Sequence, residues 1–78
     1  MMKTYQLAIQ ANKRPETLER LLRVMRHRGF EISELQSKTT ENVIALDVKV
    51  KSQRDIALLT HQLVKLPDVM EVREETNA

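Results

Sequence analysis

The stretch from Arg14 to Phe30, RPETLERLLRVMRHRGF, reads as one helix whose start, apolar stripe and stop are all visible. Pro15 suits the first turn, where its missing N–H would go unpaired in any case. Glu16 and Glu19 favour the positive end of the helix dipole, and Arg26, His27 and Arg28 favour the negative end. Leu18, Leu21, Leu22 and Met25 recur at i, i+3, i+4, i+7, which predicts one buried stripe. Glu16 with Arg20, and Glu19 with Arg23, stand at i, i+4 in the favourable order for ion pairs. Gly29, the only glycine among 78 residues, falls where a left-handed C-terminal cap is needed.

The segments around this helix supply a sheet for it to lie on. Tyr5, Leu7, Ile9 and Ala11 alternate with more polar neighbours, the period of a strand with one wetter face. Phe30 and Ile32 restart that alternation, but Leu35 falls out of step, which predicts a bulge near Ser33–Glu34. Thr39 to Asn42 has turn composition, and Ile44, Leu46, Val48 and Val50 then form the clearest alternating face in the chain. Ser52, with Asp55 three residues on, fits a capping-box start for a second helix. That helix has the stripe Ile56, Leu59, Leu63 and Leu66, with Leu58 and Val64 flanking it, and Pro67 stops it. Val69 to Val72 is a short strand, and 74–78 reads as a frayed tail.

Strand, helix, strand, strand, helix, strand is the order of an α+β, ferredoxin-like βαββαβ fold: an antiparallel four-stranded sheet with both helices on one face. Residues 1–78 form a single domain in this reading. So small a domain buries only about 60% of the surface that its unfolded chain exposes, so a second surface buried on a partner would help it. Tyr5 and Phe30 are the only aromatics, which leaves the core to aliphatic residues.

The composition excludes several classes of chemistry. There is no cysteine, hence no disulfide, thiolate metal site or cysteine nucleophile. His27 and His61 lack neighbours at metal-ligand spacing, and Ser33, Ser37 and Ser52 lack a glycine-flanked elbow. One glycine cannot make a phosphate-cradling loop, and Ala11 to Arg14 lacks the glycine-rich anion loop of an acylphosphatase-like site. No catalytic residue and no metal site is therefore expected. The net charge of +2 implies no strongly charged partner. Arg20, Arg23, Arg26 and Arg28 could touch phosphate, but a solvated face partly neutralised by Glu16 and Glu19 is the favoured reading. An RNA-recognition sheet stacks bases on aromatics that the strands here do not carry, so nucleic acid is not expected as a partner. The N-terminal MMKTYQLAIQ lacks a signal-peptide apolar run and no stretch has membrane-spanning length, so the expected location is cytoplasmic, with no membrane partner.

Pro15-Glu16-Thr17-Leu18-Glu19-Arg20, Leu22-Arg23-Val24 and Arg26-His27-Arg28-Gly29-Phe30 together resemble the ACT-domain family of small-molecule-responsive modules. More narrowly they resemble the small regulatory subunits of acetohydroxyacid synthase (acetolactate synthase) of the isozyme II type. Gln62 to Leu66 with Asp68-Val69 is a second, weaker match.

The resemblance implies a regulatory subunit that binds and activates a large catalytic subunit in branched-chain amino acid biosynthesis. Thiamine diphosphate, magnesium and FAD are then expected on that catalytic partner, and no cofactor on this chain. The effector loop implied by the family is Asn12, Lys13, Arg14, Pro15 and Glu16. Related modules that hold an amino acid carry Asp or Asn three residues before a glycine in this loop. Lys13 and Glu16 occupy those places here, and Asn12 is one residue off, so weak or absent valine binding is expected. Related modules also pair side by side, which implies a homodimer. Arg20, Arg23, His27, Phe30, Ile32 and Leu35 are the candidate dimer or partner surface, with the helix-one arginines and the Lys49–Lys51 segment as candidate contacts for the catalytic subunit. A free-standing ACT-type sensor acting on another amino-acid enzyme, and an RNA-binding domain on the same scaffold, stay open as alternatives.

Overall fold

The computed structural model describes residues 2–75. Its elements run β1 (Lys3–Asn12), α1 (Thr17–His27), β2 (Glu31–Thr39), β3 (Val43–Ser52), α2 (Ile56–Val64) and β4 (Val69–Glu75). The strands form one sheet in the order β2-β3-β1-β4, with every neighbouring pair antiparallel. This is the ferredoxin-like βαββαβ arrangement expected from the periodicities. Among the described residues no helix is long and apolar enough to cross a membrane.

The two central strands, β1 and β3, each bury one face only, as alternation requires. Leu7, Ile9 and Ala11 from β1 join Ile44, Leu46, Val48 and Val50 from β3 beneath the helices. From above, α1 contributes Leu21 and Met25, and α2 contributes Ile56, Leu59 and Leu63. The centre of the α1 stripe is displaced from its predicted place. Thr17, Leu21 and Met25 are buried at i, i+4, i+8, while Leu18 and Leu22 are half-buried on one flank. Neither Glu16–Arg20 nor Glu19–Arg23 closes as an ion pair. Among the described residues the ion pairs are Arg14–Asp68, Lys49–Glu34 and Arg73–Glu71.

The end of α1 is a Schellman cap. Gly29 has φ +85°, its N–H donates to the Arg26 carbonyl (3.1 Å), and the Phe30 N–H donates to the Met25 carbonyl (2.9 Å). Such a cap brings the residue after the glycine against the residue three before the helix end. Phe30 and Met25 are accordingly both buried, so Phe30 belongs to the core and not to the expected partner surface.

The predicted bulge is present. Ile32 pairs with Val50 and Glu34 with Lys49, leaving Ser33 as the extra residue, its hydroxyl donating to the Lys49 carbonyl (3.1 Å). Two boundaries differ from expectation. Ser52 is not the cap of α2 but the last residue of β3, buried beside the core. Asp55 caps instead, its Oδ1 accepting from the Ala57 N–H (3.0 Å). Glu74 and Glu75, expected in a frayed tail, are the end of β4 and pair with Leu7 and Gln6. The rest of that expected tail, residues 76–78, lies outside the described residues.

Candidate functional site

The β1–α1 loop is tied down on both sides. The Asn12 N–H donates to the Asp68 carbonyl (2.7 Å) in the α2–β4 turn, and the Lys13 N–H donates to the Asn42 carbonyl (2.9 Å) in the β2–β3 hairpin. Arg14, Pro15, Glu16 and Thr17 make a turn closed by the Thr17 N–H on the Arg14 carbonyl (3.1 Å), with proline at the position that its fixed φ favours. The Thr17 hydroxyl then donates back to the Asn12 carbonyl (3.0 Å). Glu16 stands at the helix start, and its side chain makes no capping bond.

Asp68 is the residue that completes this loop. Its carboxylate takes the Arg14 Nε at 2.9 Å, so one residue holds the loop by both side chain and backbone. Nothing in the spacing of Asp68 signals this, because the contact depends on β1 and β4 being neighbours. Thr17, outside the predicted stripe, does carry a signal, since it continues the i, i+4 series of Leu21 and Met25. On the β2 side, Lys13, Arg14, Pro15, Leu18, Thr39 and Ile44 line an open, mainly apolar recess of about 340 Å³. Asn12, Lys13, Arg14, Pro15 and Glu16 lie at one end of the sheet, and all five are exposed.

The expected partner surface does not lie together. Phe30 is in the core. Ile32 is half-buried and Leu35 is 37% exposed, both on the helix side of β2, an edge strand. Arg23 and His27 point the other way, into a second recess of about 340 Å³ between α1 and α2. Arg20 is exposed one turn before Val24 on that same flank. So α1 presents two different surfaces: Leu18 and Leu22 toward β2, and Arg20, Arg23 and His27 toward α2. Among the described residues no group of three or more His, Asp or Glu side chains could hold a metal ion.

The topology, with its single helix-covered face and the loop at the strand–helix junction, is that of an ACT module, and the chain belongs to the ACT-domain family, whose model matches residues 13–72. It is 41% identical over 73 residues to the acetolactate synthase isozyme 2 small subunit of Escherichia coli, a match covering 91% of this chain and 84% of that subunit. The corresponding subunit of Shigella flexneri matches to the same extent. Among solved structures, the ACT domain from GTP pyrophosphokinase of Chlorobium tepidum superposes with a TM-score of 0.84 at 10% identity, covering 96% of this chain and 100% of that one. The acetolactate synthase small subunit of Thermotoga maritima gives 0.76 at 20% identity, covering 92% of this chain and 47% of that one. At those identities the superpositions concern the fold alone.

Proposed function

We propose that this chain is the regulatory subunit of an acetolactate synthase, docking on a large catalytic subunit and raising its activity. The observation that carries this reading is the identity to an isozyme 2 small subunit, which runs through nearly the whole of both chains. The two histidines are exposed and on separate helices, and the buried polar side chains Thr17 and Ser52 both donate to backbone carbonyls, so among the described residues these groups are not brought together. Thiamine diphosphate, magnesium and FAD belong on the catalytic partner in this reading.

Binding of a branched-chain amino acid is weak or absent. The N–H groups of Asn12 and Lys13 already donate within the domain, and Pro15 has none to offer. Glu16 sets a carboxylate at the start of α1, where it repels the carboxylate of an amino acid. Copies of the chain pair through the β2 edge, burying Ile32 and Leu35.

The test is to mix the purified chain with the purified large subunit and follow acetolactate formation with and without valine. The rate rises on mixing and valine changes it little; an unchanged rate refutes the activator role. Calorimetry with valine, leucine and isoleucine checks the loop, and micromolar binding of any of them overturns that part.

A further inference from the structure

Charge is divided between the two layers of this domain. The helical segments 13–30 and 53–66 carry eight Lys and Arg against three Asp and Glu, whereas the remainder carries five against eight. The near-neutral total conceals this separation. Within the helical layer only Arg14 is held by a carboxylate; among the described residues Arg20, Arg23, Arg26, Arg28 and Lys65 have none within 4.0 Å. The arginines of α1 lie on a solvated face, as the sequence suggests, and Glu16 and Glu19 make no contact ion pair with them.

Three of these cations, Arg23, Arg28 and Lys65, line the recess between α1 and α2. Arg23, His27, Arg28 and Lys65 surround it, and half-buried Val24 and Leu66 form its floor. The Arg28 guanidinium spans the two helices to donate to Gln62 Oε1 (3.1 Å), a neutral partner that leaves its charge uncompensated. A planar guanidinium fork held in place is suited to a carboxylate. The apolar floor asks for aliphatic side chains as well.

We propose that this cleft is a docking groove for an acidic, aliphatic-bearing segment of the catalytic subunit; the identity of that partner rests on the function proposed above. Charge complementarity selects the occupant. Nucleic acid fits less well, because no aromatic side chain lies at the cleft for bases to stack on: Tyr5 is on β1 and Phe30 is buried. The groove lies on the α2 flank of α1, so it stays open when the β2 edge is occupied. A rim of like charges of this kind speeds encounter and makes binding sensitive to salt.

The experiment measures the affinity of the full chain for the purified catalytic subunit at low and moderate salt. Paired reversal Arg28→Glu with Lys65→Glu is compared with the sheet-face pair Lys38→Glu with Lys51→Glu. Circular dichroism melts confirm that both variants are folded. The cleft pair loses about a hundredfold in affinity and most of its salt dependence, and the sheet pair about threefold or less. Equal losses in the two variants, or none in the cleft pair, overturn the groove while leaving the partner intact. If the unmodified chain does not bind the catalytic subunit, the partner reading fails on its own. The groove is then judged by titrating the labelled chain with a short Glu/Leu peptide and with a single-stranded oligonucleotide. Amide shifts confined to Arg23–Arg28 and Gln62–Leu66 with the peptide support the groove; shifts there only with the oligonucleotide, or with neither, overturn it.

Discussion

Ser52 Oγ donates a 2.9 Å hydrogen bond to the carbonyl oxygen of Gly29, joining the stop of α1 to the end of β3. The same hydroxyl accepts from the Arg54 N–H at 3.0 Å, and Tyr5 Oη donates to the Arg54 carbonyl at 3.3 Å. One buried hydroxyl thus sets the exit of one helix and the approach to the other. Ser52→Ala leaves the Gly29 carbonyl and the Arg54 N–H without this partner and costs about 1–3 kcal/mol. Denaturant unfolding measures this, and a change under a few tenths of a kcal/mol would show that water replaces the hydroxyl.

Gly29 combines a positive φ with a crowded surrounding. A Cβ built there would stand 3.0 Å from Arg54 Nε, the far end of a flexible side chain. The steric conflict can therefore relax, whereas the backbone penalty cannot. Gly29→Ala destabilises by about 1–2 kcal/mol, and adding Arg54→Ala recovers little of it. Full recovery in the double variant would place the cost on the side chain instead.

Leu59 is wholly buried while Val64, on the same helix, is 56% exposed. Leu59→Ala should cost about 2–5 kcal/mol, and Val64→Ala within about 0.5 kcal/mol. Melting curves of the two variants separate these values readily. Similar losses would mean that the outer face of α2 is covered by another copy.

Arg14 and Asp68 pair at 2.9 Å, with the Arg14 side chain 61% exposed and that of Asp68 14% exposed. Solvent screening at the arginine keeps the Arg14→Ala penalty under about 1 kcal/mol. Asp68→Ala leaves the arginine in water and should cost a comparably small amount, since the backbone bond from Asn12 to Asp68 survives either change. A double-mutant cycle by chemical denaturation gives the coupling directly, and a value above about 2 kcal/mol would contradict the screening.

Leu35 lies exposed on the β2 edge, on the same side as Ile32. If copies join along this edge, Leu35→Lys sets a charge in the seam and yields monomers by sedimentation velocity at concentrations where the unmodified chain is dimeric. An unshifted sedimentation profile would move the contact elsewhere.

Much of this architecture is written in periodicity. The alternations of β1 and β3, the Gly29 cap and the Ser33 bulge are all local patterns, and each is realised where the residues indicate. Failures arose where a local pattern competed with a longer one. Ser52 with Asp55 looks like a capping box, yet Ser52 also continues the inward series Ile44, Leu46, Val48, Val50, and the sheet prevailed. Phe30, expected on the partner surface, is instead buried by its place after the capping glycine. The loop contacts of Asp68 and Asn42, and the cleft joining Arg28 to Gln62, involve partners distant in the chain, which no spacing rule reaches.

The single surplus residue at Ser33 has a consequence for the whole margin of the sheet. It interrupts the ladder at one point and increases the local twist there, so a neighbouring strand cannot lie flush along the full length of β2. Beyond it, Glu34 to Thr39 keeps an unbroken register with β3, and this is the portion open to continuous pairing. A chain lacking Ser33 would restore uninterrupted alternation, with a longer and flatter rim open to indiscriminate stacking into fibres. What looks like a small defect in pairing thus acts as a gatekeeper, restricting how far one molecule can zip onto the next.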